Sequence, residues 1–261
     1  MTSRYRVHSS PLFDVRVVDD PSAAVAAVAD EIVRLVRDAS RRPSDGESFV
    51  LGLATGATMV PVYQTLVERH ERGSLRFGRV RGVLLDEYRG LPPGHPERFV
   101  RWIEERLARR VDLPLEQLEA PPADAEGRDL ENACAAFERR LRELGGVDLQ
   151  LLGLGRNGHV AFNEPGSPAD SHTRLVRLAE SSREANATSF GSLEATPTFA
   201  VTQGLATIRA ARRLRLLAFG AGKRDALQQL LALTDFDPRA PASALAGHQD
   251  LVIWTDRAAL G

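Results

Sequence analysis

Lysine is almost missing from this chain, cysteine occurs once, and neither sign of charge is in excess; each shortage rules something out. Over 261 residues, 34 basic side chains face 35 acidic ones for a formal net charge of -1. No overall field is therefore available to recruit nucleic acid or an anionic membrane, and any charge recognition must be local. Cys134 has no second cysteine to pair with and no neighbouring Cys or His, which excludes an internal disulfide and a cysteine-based metal site. No apolar run is long enough to cross a bilayer, and residues 1–14 lack the charged, apolar and cleavage-site order of a signal peptide, so the expected location is the cytoplasm. Internal repeats, low-complexity tracts and heptads are also missing, and no shift in composition divides the chain. Residues 1–261 are expected to form one domain.

What is present is alternation. Short runs rich in Val, Leu and Ile at residues 15–18, 49–53, 80–85, 149–154, 214–219 and 251–254 read as buried strands. Between them, residues 24–37, 59–72, 96–110, 131–144 and 224–233 carry helical spacing; the first has Val25, Val28, Ile32 and Leu35 on one stripe behind Asp20-Pro21-Ser22. That pattern predicts an α/β fold, a doubly wound, mostly parallel sheet with helices on both faces. Residues 119–129, rich in Pro, Ala and charge, read as an exposed connection. Cys134 falls on the apolar side of helix 131–144 and reads as packed.

In such a sheet, ligands bind beyond the carboxyl ends of the strands, and four of those positions carry unusual chemistry. Ala54-Thr55-Gly56-Ala57-Thr58 opens a helix, where backbone N–H groups and the positive end of the dipole suit an anion. An ordinary turn with Thr58 as N-cap is the alternative there. Asp86-Glu87-Tyr88 follows the third strand; partial desolvation would make one of its carboxylates a general base, whereas capping a turn is the commoner fate. Gly155-Arg156-Asn157-Gly158-His159 runs on to Asn163-Glu164-Pro165, a density of Gly, Asn, His and Glu that favours a proton-handling site over a structural histidine. Gly220-Ala221-Gly222-Lys223 opens another helix and holds the only lysine, a compact charge for a phosphate; the spacing is not that of a P-loop.

Taken together, the segment from Leu152 to Ser167, the Asp86-Glu87-Tyr88-Arg89-Gly90-Leu91-Pro92 run with His95-Pro96-Glu97, and the turns at Thr55 and Lys223 resemble the glucosamine-6-phosphate deaminase family. The resemblance implies a Rossmann-like sugar-phosphate isomerase fold and conversion of glucosamine 6-phosphate and water to fructose 6-phosphate and ammonia. It implies His159 for ring opening, Glu164 and Asn157 as its partners, and Asp86 as the acid–base group between C2 and C1. Thr55, Gly56, Ala57, Thr58 and Lys223, with Gly155, Arg156, Gly158 and Glu87, are expected to bind the sugar and its phosphate. Neither a metal nor an organic cofactor is implied, because the C2 amine supplies its own route to an iminium.

The departures are specific. Asn157 stands where many members have Asp, Ala57 replaces Ser or Gly, Met59 replaces Pro, and Thr188 occupies the place of an arginine that binds phosphate in the family. Val176 replaces a basic residue of the effector region, so the control by N-acetylglucosamine 6-phosphate seen in some homologues is expected to be absent. Three alternatives follow: a paralogue acting on another amino sugar, a 6-phosphogluconolactonase-like hydrolase, and a non-catalytic sugar-phosphate-binding module. The expected partner is a small sugar phosphate, with no nucleic acid and no membrane, in a monomer or homo-oligomer.

Overall fold

The computed structural model describes residues 5–41 and 48–261; of the N-terminal stretch considered above, residues 1–4 lie outside the described residues. In chain order the strands are β1 Arg6–His8, β2 Asp14–Val18, β3 Phe49–Leu53, β4 Val80–Leu84, β5 Asp86–Tyr88, β6 Leu118–Glu119, β7 Leu149–Gly153, β8 Arg174–Arg177, β9 Phe199–Thr202, β10 Leu214–Ala218 and β11 Leu251–Asp256. The helices are α1 Pro21–Ser40, α2 Val60–Glu71, α3 Phe99–Arg106, α4 Gly127–Glu143, α5 Glu180–Phe190, α6 Leu205–Arg209, α7 Arg224–Ala232 and α8 Arg257–Leu260.

Every side chain of β3 and β10 is buried, as expected of strands covered on both faces. The main sheet has the order β1-β2-β11-β10-β7-β3-β4-β6, parallel throughout except for β1 against β2. Strand order reverses between β3 and β7: β4 and β6 lie on one side, β10, β11 and β2 on the other. The crevice at the carboxyl ends of these two strands is the place where such folds bind ligands. Helix α1 shows how the sequence sets the flanking layers. Asp20 caps it through Ser22 N–H at 2.9 Å, Pro21 begins it, and Val25, Val28, Ile32 and Val36 bury one face.

Three features were not visible in the sequence pattern. A second, antiparallel sheet of β5, β9 and β8 leaves the first at a bend on Leu85. Helix α5 was unpredicted, and the connection expected at 119–129 is shorter and less exposed: Pro121 and Ala123 are buried and α4 already starts at Gly127. Cys134 is buried on α4 beside Leu130, as its helical position suggested. Among the described residues no helix is long and apolar enough to cross a membrane.

Candidate active site

Beyond the carboxyl ends of β3, β4, β7 and β10 lies a cleft of about 540 Å³. The turn 54–58, Asp86, Gly155, His159 and Lys223 all line it, so residues far apart in sequence converge as the strand-end rule requires. The second sheet and helices α3 and α5 supply its apolar wall, where Tyr88 packs against Phe99, Phe162 and Phe190 with ring centroids 4.7, 5.4 and 5.3 Å away.

Asp86 is the first residue after the bend at Leu85, 7% exposed. Burial, reinforced by the neighbouring Glu87 charge, pushes its carboxyl up to about 8. Side chains alternate along a strand, so Asp86 and Tyr88 share the cleft side of β5 and Glu87 points the other way. This corrects the expectation that Glu87 binds substrate. Its side chain is fully buried, accepting from the backbone N–H groups of Tyr88, Phe99 and Val100 at 2.8, 2.9 and 3.0 Å, and Arg98 lies 3.7 Å away. Glu87 is thus the cap that ties the start of α3 to the strand carrying Asp86.

His159 is held from behind. Its Nδ1 lies 2.6 Å from Asn157 Oδ1, and Asn157 Nδ2 donates to Glu164 Oε2 at 2.8 Å; Glu164 Oε2 is itself 3.4 Å from Nδ1. The carboxylate fixes which way the amide faces, with NH₂ toward Glu164 and oxygen toward the ring, so Nδ1 carries the proton and Nε2 is the basic nitrogen. Burial alone would raise the Glu164 carboxyl. The hydrogen bond and charge of His159, followed by Ser182 and Asn157, hold it below the usual carboxylate range instead. Asn157 is therefore the direct partner of the imidazole and Glu164 the anchor behind it, an order the residues alone did not establish.

Two of the glycines are required by the protein's own packing. A Cβ on Gly155 would stand 2.3 Å from His159 Cε1 and Nε2: the imidazole occupies the space a side chain would need. Gly158, at φ +79°, packs with its Cβ direction 3.1 Å from Ala240 Cα, its carbonyl accepts from Ala242 N–H, and it does not line the cleft. Ala161, which does line it, is the one described non-glycine residue with positive φ, at 51°.

The turns after β3 and β10 are built alike. Gly56 at φ 103° and Gly220 at φ 81° each precede a single 3-10 turn, Ala57–Met59 and Ala221–Lys223, from which α2 and α7 continue. Those backbone angles suit only glycine. Thr58 sits inside the 3-10 turn and is not an N-cap; no side chain caps α2 or α7, although the Asp256 carboxylate accepts from Gly220 N–H at 3.0 Å just before α7, and the start of α2 is left free for an anion. The Tyr63 hydroxyl, buried, donates to the Ala54 carbonyl at 2.6 Å and pins the first turn in place. Lys223 projects into the cleft; burial and then the nearby charge of Arg156 depress its pKa. Arg156 itself is exposed and outside the cleft lining. On α5 the cleft side is formed by Ala185, Asn186, Ser189 and Phe190, while Thr188 is solvent-exposed and does not line it. Glu97 also lines the cleft, and sequence reasoning did not single it out.

The family described as Glucosamine-6-phosphate isomerases/6-phosphogluconolactonase matches residues 19–254. The chain is 44% identical to a protein named glucosamine-6-phosphate deaminase from Beutenbergia cavernae, covering 94% of this chain and 91% of the relative. A protein of the same name from Mycolicibacterium smegmatis is 42% identical over the same shares. Among solved structures, one described as a monomeric glucosamine-6-phosphate deaminase superposes with a TM-score of 0.86 at 35% identity, covering 94% of this chain and 98% of the other. A 6-phosphogluconolactonase from Thermotoga maritima shares the fold at a TM-score of 0.70 and 23% identity, over 93% of this chain and 99% of the other.

Proposed function

The chain belongs to the glucosamine-6-phosphate isomerase/6-phosphogluconolactonase family, and from that premise we propose how its cleft performs the isomerising deamination of glucosamine 6-phosphate to fructose 6-phosphate and ammonia. The observation that carries the mechanism is the meeting, in one cleft, of a buried proton-holding carboxyl at Asp86 and a proton-ready imidazole at His159.

The 6-phosphate docks on the Thr55–Thr58 turn and Lys223, with Arg156 adding positive potential from the rim. His159 Nε2 takes the proton of the anomeric hydroxyl and passes it to the ring oxygen as the C1–O5 bond breaks, and the pyranose opens. Nδ1–H remains on Asn157 during this transfer, and the Glu164 carboxylate stabilises the imidazolium that forms. Asp86 as carboxylate then removes the proton from C2 of the open chain while solvent protonates the C1 carbonyl oxygen, which gives the enolamine. Asp86 returns its proton to C1, which makes the C2 iminium, and water adds to it with departure of ammonia, which leaves the ketose. The alternative lactonase reading is tested by offering the protein glucosamine 6-phosphate and 6-phosphogluconolactone in parallel. Ammonia from the first without acid release from the second is expected, and the reverse would overturn the assignment.

Because Asp86 must lose its proton to act as base, kcat/KM is expected to rise with pH through a limb near 8. Glu87→Gln removes the charge that reinforces burial and should move that limb down by up to about one pH unit. A limb unmoved in a folded Glu87→Gln protein would mean that another group sets it.

We further propose that residues 1–261 act as one cytoplasmic domain, as a monomer or homo-oligomer without effector control. Val176 supports the last point: its half-buried side chain packs against the apolar cluster of Tyr88, Phe162, Leu178 and Ala200. Saturation curves are expected to be hyperbolic and unchanged by N-acetylglucosamine 6-phosphate, and a lowered half-saturation with that compound would contradict the proposal.

A further inference from the structure

The cleft lining carries groups of opposite charge. Lys223 and the uncapped start of α2 suit an anionic ligand. Near Tyr88 the lining holds a second carboxylate, Glu97, which the mechanism above does not use. Its side chain makes no hydrogen bond or ion pair among the described residues, although the arginine next to it, Arg98, is held bidentately by Asp124 at 2.9 Å for both bonds. The backbone at Glu97 is nevertheless fixed: its N–H donates to His95 Nδ1 at 3.1 Å, Arg98 N–H donates to the His95 carbonyl at 3.2 Å, and the His95 ring stacks 5.9 Å from Phe190. A carboxylate held on a rigid turn, facing a cleft and left without a partner, is arranged for a cation that arrives with a ligand.

Tyr88 supplies the independent observation. It is 2% exposed, lines the same cleft, and its hydroxyl has no hydrogen-bond partner. A buried phenol left unpaired is costly and calls for a ligand atom to satisfy it. Strand alternation puts this side chain on the cleft side with Asp86, its hydroxyl buried behind the lining, and burial together with the charges of Asp86, Glu97 and then Glu87 raises its pKa, which places the phenol within the field of all three carboxyl groups.

We propose that Glu97 and the Tyr88 hydroxyl form the amine pocket of the site, pairing with the C2 ammonium of the amino sugar and discriminating it from neutral sugar phosphates. The proposal rests on the deaminase reading and adds what selects the substrate within it. A ligand that carries both a phosphate and a cation matches a lining that holds both Lys223 and Glu97. The Glu97 carboxylate attracts the ammonium, and the phenol fixes its position by accepting one of its protons.

Two unreactive open-chain probes, 2-amino-2-deoxyglucitol 6-phosphate and glucitol 6-phosphate, differ only in amine against hydroxyl. Calorimetric binding to the wild-type chain should favour the amine by at least about tenfold. Glu97→Gln keeps the shape of the side chain and should weaken the amine probe by roughly 10- to 100-fold while leaving glucitol 6-phosphate within about twofold. Tyr88→Phe, which preserves the aromatic cluster, should cost the amine probe a smaller factor of about 3–10 and spare the neutral one. Equal weakening of both probes, or of neither, by Glu97→Gln would overturn the amine pocket and leave the deaminase reading standing. Failure of both probes to bind the wild-type protein would remove the deaminase reading as well.

Discussion

Asp86→Asn is expected to end turnover and, in the same protein, to raise stability. An amide cannot take the C2 proton, so exchange of that hydrogen with solvent should fall by about 10²–10⁴ at least, while opening of the ring by His159 continues. The stability effect follows from the environment that makes Asp86 a base. Its folded-state pKa of about 8 lies above the ordinary 3.8, so the folded protein retains a proton that the unfolded chain gives up between those values. Below pH 4 the two states bind it equally and the carboxyl costs nothing; as pH rises from 4 toward 8 the wild type loses stability at about 1.4 kcal/mol per pH unit from this group alone, before relaxation softens the loss. Asn has no such slope. The variant should therefore match the wild type at pH 4 and exceed it by on the order of a few kcal/mol at pH 8, read from urea midpoints at the two values. Retained C2 exchange would remove Asp86 from its role, and an advantage over the wild type no larger at pH 8 than at pH 4 would remove the buried-carboxyl explanation.

Gly155→Ala should disable His159 without replacing it. The added methyl would stand 2.3 Å from two ring atoms, closer than non-bonded atoms tolerate, and the neighbour that must move is the imidazole. With His159 displaced from Asn157, ring opening should slow by roughly 10²–10³, the range for loss of one positioned acid–base group. Two controls give the test its force. An open-chain substrate analogue should recover much of the lost rate, since only the opening step is damaged. His159→Gln and Gly155→Ala should not add, because both remove the same group. Near-normal activity in Gly155→Ala would mean that the ring can leave its slot at no cost to catalysis; full additivity would mean that Gly155 acts through something other than His159.

The main sheet was legible because a strand buried on both faces is a continuous apolar run, and no other use of the chain competes for that pattern: β3 falls on the predicted residues, and five further strands begin within a residue of theirs. The second sheet carries no such signal. Its strands are three or four residues long, and β8 alternates half-buried with exposed positions across Arg174-Leu175-Val176-Arg177. Helix α5 was equally silent, since Glu180–Phe190 has few large apolar residues and only Ser182 buried within it. The consequence for the site was the side on which residues face. Asp86 and Glu87 look alike as adjacent acids after a strand; only membership of β5 puts one in the cleft and the other under α3. The same limit applies to Gly155 and Gly158, whose need for a missing side chain comes from His159 and Ala240. Lys223 was legible because it is the sole lysine, and Glu97 was not, because an unpaired acid can be recognised only when the partners around it are known.

The cleft is expected to remove ammonia from a phosphorylated amino sugar. The direct measurement is to incubate the protein with glucosamine 6-phosphate and, separately, with glucosamine, following ammonia and ketose together. Ammonia and fructose 6-phosphate released one for one, with glucosamine turned over far more slowly for want of the phosphate that Lys223 and the Thr55–Thr58 turn would hold, is the result predicted. Release of neither product from glucosamine 6-phosphate would contradict it.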